Sequence, residues 1–212
     1  APFSPFSDGG MLIHSARFFA CIDLCSPFEN ARYISLKVPK SDNIIIDGEI
    51  RKLSTSWWDK NNGKKIYVGE QSIVEEEGFI SVIDDAILTS HGAMLQKFLP
   101  EMMNWLEQHY GRLPQKPMLF ASYGKTDDGT YGQQGGTLPD QVFMHWYGKL
   151  PDFENESEQL IWFFAHEAAH MYQRLNGRAI SPVDNWLHEG HAEHLAKKIV
   201  MQLYPKYQTY AD

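Results

Sequence analysis

Apolar and β-branched residues crowd into short runs over the first eighty or so positions. MLIHSARFFACIDL (11–24), ARYISLKV (31–38), NIIIDGEI (43–50), KKIYVGE (64–70) and GFISVID (78–84) are separated by turn residues and predict strands. Asp47-Gly48 and Asn62-Gly63 predict tight turns. The tryptophans of STSWWDKNNGKK predict core packing. The stretch before these runs, APFSPFSDGG, reads as a flexible lead-in.

Near Asp84 the period changes. Ile87, Leu88, Met94, Leu95, Phe98, Met102, Trp105 and Leu106 recur at threes and fours, which predicts a helix capped by Asp84 or Asp85 and ended by Gly111. Pro100 should kink it or start a second helix. KPMLFASY (116–123) and QVFMHWYG (141–148) read as strands, with the glycine-rich GKTDDGTYGQQGGTLPD between them as a loop. Two further helices follow. The first has a capping box at Asn155–Glu158, an almost all-round apolar stretch at 160–165 that should be buried between layers, and a stop at Gly177. The second starts at an Asp184 or Asn185 cap and ends at Pro205. The order of elements gives an α+β chain, with a β-rich segment over 1–83 and a second unit over 84–212, complete or cut short at its C-terminus.

Composition narrows the function classes. The 212 residues are 43% hydrophobic and 22% charged, the balance of a globular protein, and no apolar run is long enough to span a bilayer. A net charge of −8 without basic–aromatic runs points away from nucleic acid. Cys21 and Cys25 suit two partly buried thiols better than a bridge, a loop disulfide being the alternative. Ala1 in place of a starting Met suits a mature secreted form or an excised piece; a secreted or periplasmic location is favoured over a cytoplasmic one.

The chemistry lies in FFAHEAAHMYQ (163–173). His166 and His170, at i and i+4, lie on one helical face and can direct two imidazoles at one ion. Glu167 follows roughly 100° round the helix, beside the ion and free to take a proton from water. A catalytic zinc needs three protein ligands and one open position. Eighteen residues separate His170 from Glu189, which a returning helix would set opposite the histidines. Glu193, one turn on, can accept a hydrogen bond from the outer nitrogen of a ligand histidine. His188 could join a three-histidine site only if the helix were rotated, leaving Glu189 unexplained. Gln173 and Asn176 stand where the longer metzincin pattern needs glycine and histidine.

HEAAH, eighteen residues, then WLHEGHAEH resembles the gluzincin metallopeptidases, and is most similar to the aminopeptidase N and glycyl aminopeptidase families. FLPEMMNWLEQHYGRLPQKPMLF (98–120) also looks like the helix-then-strand segment of those enzymes. The resemblance covers roughly 85–204, and the β-rich first part looks like the end of the domain that precedes theirs. It implies a thermolysin-like zincin catalytic domain: a small mixed sheet on the active-site helix, with a second helix supplying the glutamate. It implies Zn²⁺ held by His166, His170 and Glu189, with Glu167 as general base, acting on a peptide or protein substrate; that substrate is expected to add along the strand 141–148 at an exposed sheet edge. Two departures stand out. The family's G-x-M-E-N motif is matched only by Gly135 and Gly136, with Asp140 the one nearby acid, which shifts the expectation from aminopeptidase toward endopeptidase. The family's oxyanion-stabilising tyrosine lies far downstream; here the donor is Tyr123, Tyr131, Tyr204, Tyr207 or Tyr210, or lies beyond Asp212. The alternative function is a zinc-binding protein without turnover, including a structural zinc completed by His145 or His191.

Overall fold

A computed structural model of the chain describes residues 3–18, 31–59, 63–149, 153–173 and 185–206. Cys21, Cys25, Asn62, Gly177, Asp184, Tyr207 and Tyr210, on which some of the expectations above fall, lie outside these residues.

Strands dominate the first part. They are β1 (Phe3–Pro5), β2 (Met11–His14), β3 (Arg32–Lys37), β4 (Asn43–Ile46), β5 (Glu49–Lys52), β6 (Ser54–Asp59), β7 (Lys65–Gly69), β8 (Ile73–Glu75) and β9 (Ile80–Ile83). The lead-in is therefore no loose tail: β1 pairs with β2, and Phe6 is buried. The run from Met11 keeps strand form for four residues and then turns into a 3-10 helix over Ser15–Phe18. Asp47 and Gly48, both at positive φ, make the turn between β4 and β5.

The chain then forms α1 (Asp85–Tyr110), β10 (Met118–Gly124), β11 (Gly132–Leu138), β12 (Gln141–Tyr147), α2 (Phe153–Tyr172) and α3 (Asn185–Leu203). Asp84 caps α1 through a side-chain bond to the Ala86 N–H, and the helix runs unbroken through Pro100 to Gly111. Helix α2 starts at Phe153, so Asn155 lies inside it and is not its cap, and the helix stops at Tyr172, short of Gly177.

The strands form two five-stranded sheets and a ribbon, ordered β1-β2-β7-β4-β5, β11-β12-β10-β9-β8 and β3-β6. The second sheet is mixed: β9, β10 and β12 are parallel, while β8 and β11 run antiparallel at its edges. Because β8 and β9 belong to it, that sheet reaches back before residue 84. Two expectations change here. The glycine-rich stretch contains a strand, β11, and it is β11 that holds the sheet edge. The 141–148 strand is flanked on both sides and offers no free edge.

Period-two alternation stacks these pieces into layers. Ile44 and Ile46 face the ribbon, against Leu36, Val38 and Trp57. Ile45, Leu12 and Tyr67 face the mixed sheet, against Ile80, Val82, Met118 and Phe120. The other face of the mixed sheet, through Leu119, Ala121, Val142, Met144 and Trp146, packs on all three helices. Of the two adjacent tryptophans only Trp57 packs inward; Trp58 is 64% exposed and lies against Tyr33. Among the described residues no helix is long and apolar enough to cross a membrane.

Candidate metal centre

Helices α2 and α3 meet along a seam of small residues. Ala169 and Ala192 are wholly buried there, and side chains this small let two helix backbones approach closely. Close approach brings the polar positions beside the seam within bonding distance across it. His166 Nε2 lies 3.2 Å from His170 Nε2 and 3.2 Å from Glu189 Oε2, and His170 Nε2 lies 3.3 Å from the same oxygen. These three are the group of His, Cys, Asp or Glu side chains, among the described residues, that could hold a metal ion.

The outer nitrogens fix what the inner ones can do. His166 Nδ1 is 2.9 Å from Glu193 Oε2, an oxygen that also accepts from Trp162 Nε1 at 3.2 Å. His170 Nδ1 is 2.9 Å from Gln173 Oε1. Both outer partners are acceptors, so both Nδ1 atoms carry protons, and in the neutral rings both Nε2 atoms are lone pairs. Two lone pairs and a carboxylate oxygen then converge with no proton among them. Such a set calls for a cation. Its size also fits one: a tetrahedral ion with bonds of about 2.0–2.1 Å sets its ligand atoms about 3.3–3.4 Å apart. Among the described residues the site is open on the α3 side, where the Glu189 side chain is 49% exposed against 9% for His170.

Where the rings carry a second proton, partial burial pushes the Glu189 carboxyl up, but the charges of His170, His166 and His188 outweigh it and hold the group below its usual range. The His188 ring stacks on His170 with centroids 4.3 Å apart, and burial, then the His170 ring, keep it below the ordinary histidine value. His188 thus lines the site but is not one of the three converging donors.

Glu167 faces a different neighbour. The Thr137 hydroxyl on β11 lies 2.5 Å from Glu167 Oε2 and 2.8 Å from the Glu167 carbonyl oxygen. The carboxylate is therefore held between the histidine helix and β11, the outermost strand of the mixed sheet on that side. Gly135 makes this closeness possible, since a Cβ there would lie 2.6 Å from Phe163 of α2. Thr137 and Gln173 carried no signal in the sequence. Both act through contacts that only the tertiary structure creates.

The remaining candidates are dispersed. Asp140 sits at positive φ in the β11–β12 turn, where burial, then Asp47, raise its carboxyl, and it looks toward the first sheet. His145 bonds Ser122 Oγ at 2.8 Å on the inter-sheet side of β12. His191 Nδ1 accepts from Gln173 Nε2 at 3.3 Å. The Tyr123 hydroxyl donates to the Gly148 carbonyl and that of Tyr204 to Glu101. Tyr131 is 72% exposed.

No family profile and no curated protein sequence matches the chain. Its fold does have a solved counterpart. The structure of yeast LTA4 hydrolase in complex with Bestatin superposes with a TM-score of 0.58 at 16% identity, over 95% of this chain and 33% of that one. The chain thus spans about a third of the length of that hydrolase. At this identity the likeness speaks for the α+β fold alone.

Proposed function

We propose that the chain is a zinc-dependent peptide-bond hydrolase of thermolysin-like, gluzincin architecture. The observation that carries this is the triangle of His166 Nε2, His170 Nε2 and Glu189 Oε2, with edges of 3.2, 3.2 and 3.3 Å. Three ligands from two helices, with one side open, are what a catalytic zinc uses, where a structural zinc takes a fourth. Among the described residues no fourth His, Cys, Asp or Glu joins the three. A fold shared with a hydrolase supports the same reading.

Bound there, zinc supplies a Lewis acid that acidifies water and polarises a carbonyl. The chain's own residues do the rest. Glu193 and Gln173 hold the two imidazoles by their outer nitrogens. Glu167, one position from His166 and facing β11, accepts the proton of the attacking water and returns it to the leaving amine. The peptide adds as a further strand along β11, whose outer side is unpaired among the described residues and whose Gln133, Gln134 and Gly135 are exposed.

Metal analysis of the purified chain should find about one zinc per chain. Glu189→Ala should lower zinc affinity at least tenfold; unchanged affinity would mean the ligand assignment is wrong. Glu167→Gln should keep the metal and lower peptide hydrolysis about 10²–10⁴-fold. A second reading, zinc binding without turnover, is favoured by one observation: the Tyr123 and Tyr204 hydroxyls, two of the candidate oxyanion donors, are engaged by the Gly148 carbonyl and by Glu101. A peptide-library cleavage assay with and without chelator separates the two.

A further inference from the structure

Gln173, the first residue after α2, touches three groups. Its Oε1 is 2.9 Å from His170 Nδ1, its Nε2 donates to the His188 carbonyl oxygen at 2.7 Å, and the same nitrogen is 3.3 Å from His191 Nδ1. The His188 carbonyl can only accept, so the amide nitrogen must face it. A flipped amide would set two oxygens against each other at that short distance. The amide oxygen is thereby turned to His170, and an oxygen there requires a proton on Nδ1. That proton assigns Nε2 as the lone pair aimed at the triangle. We propose that Gln173 is the positioning residue of the metal centre: by pinning its own amide to the α3 backbone it selects the His170 tautomer that can ligate, and ties that choice to the docking of α3.

The bonds also explain why a glutamine suits this position. A carboxylate could hold His170 Nδ1 but has no hydrogen to give the His188 carbonyl. An apolar side chain could do neither. The two ligand histidines are thus oriented by different chemistry, His166 by the Glu193 carboxylate and His170 by a neutral amide whose orientation α3 dictates. The residue that carries the third ligand, Glu189, directly follows the one whose carbonyl sets the amide. Placing Glu189 and orienting His170 therefore become one event.

This inference rests on the zinc reading for its consequence but not for its core, so two measurements are made on the full chain. The first is the zinc dissociation constant by chelator competition, where Gln173→Met should weaken binding about 10–100-fold, the usual effect of losing the group that orients a ligand histidine. The second is the ring ¹⁵N spectrum of His170 in zinc-free protein at a pH where the ring is neutral. Wild type should show the Nδ1–H tautomer, Gln173→Met the commoner Nε2–H form, and Gln173→Glu, nearly isosteric and still an acceptor, should restore Nδ1–H. A Gln173→Met protein that keeps the Nδ1–H tautomer, or binds zinc as tightly as wild type, overturns the proposal. Should Gln173→Met fail to fold, the wild-type spectrum still decides, because an Nε2–H tautomer there is incompatible with the proposed role. If no chain binds zinc while the tautomers behave as stated, the zinc reading fails and the role of Gln173 in orienting His170 stands.

Discussion

The Thr137 hydroxyl has one proton and two oxygens of Glu167 within reach, the carboxylate at 2.5 Å and the backbone carbonyl at 2.8 Å. Donated to the carboxylate, it would aim the proposed general base without blocking the second oxygen. Thr137→Val should therefore lower kcat about tenfold with KM little changed, and Thr137→Ser should recover most of the loss. Steady-state kinetics on one peptide substrate checks this, and a change confined to KM would sink it. The same pair shows where sequence reading ends at this scale. His166 and His170 were legible as one face because helical spacing converts directly to geometry, and Glu189 and Glu193 obey the same rule one helix later. Thr137 and Gln173 reach their partners from β11 and from the end of α2, and no local spacing encodes such meetings.

At the scale of elements, the site depends on how near α2 and α3 can come. Ala192 is fully buried in the seam beside Ala169 and Leu195. Ala192→Leu should force the helices apart, costing about 1–3 kcal/mol of stability and weakening metal binding although no ligand is touched. Urea unfolding and chelator competition on the same protein test both halves, and unchanged zinc affinity would refute the seam's role. Most elements were legible from hydrophobic period. Strand β11 was not, because Gly132, Gly135 and Gly136 remove the side chains that alternation is read from, and Gly135 is there to admit Phe163. Pro100 predicts a kink that α1 does not show as a break. Phe98, Leu99, Met102 and Met103 on either side of it are buried in the main core, and that packing holds the helix in one piece. Trp58 is the converse case, a residue type usually packed inside that the alternation of β6 turns outward.

At the scale of the whole molecule, the layers are tied together by polar groups the sequence did not reveal. Gln141 of β12 accepts from the Lys65 N–H at 2.8 Å and donates to the Lys65 carbonyl at 2.6 Å, so one side chain continues the first sheet's bonding into the second. Asp84 accepts from Ser7, Ala86 and Tyr123, joining the N-terminal segment, α1 and β10. Between the sheets the Lys65 ammonium sits 4.3 Å over the Phe143 ring, with only 3% of the residue exposed. Burial, then the charge of Arg17, bring its pKa down from 10.5 to about 8. The sign follows from proton counts. Below pH 8 both states hold the proton, and the folded state bears the full cost of the buried charge. Between about 8 and 10.5 the unfolded chain keeps a proton that the folded chain has lost, so stability rises with pH across that window. Lys65→Met, which keeps the backbone bonds to Gln141, should thus stabilise the fold at pH 7 by about 1–3 kcal/mol, an advantage that shrinks toward zero by pH 10.5. Urea unfolding of both proteins at pH 7, 9 and 10.5 gives the comparison. A constant difference across the three would show that Lys65 matters for its shape and not its charge, and a less stable Lys65→Met at pH 7 would mean that the Phe143 ring more than offsets the desolvation of the ammonium.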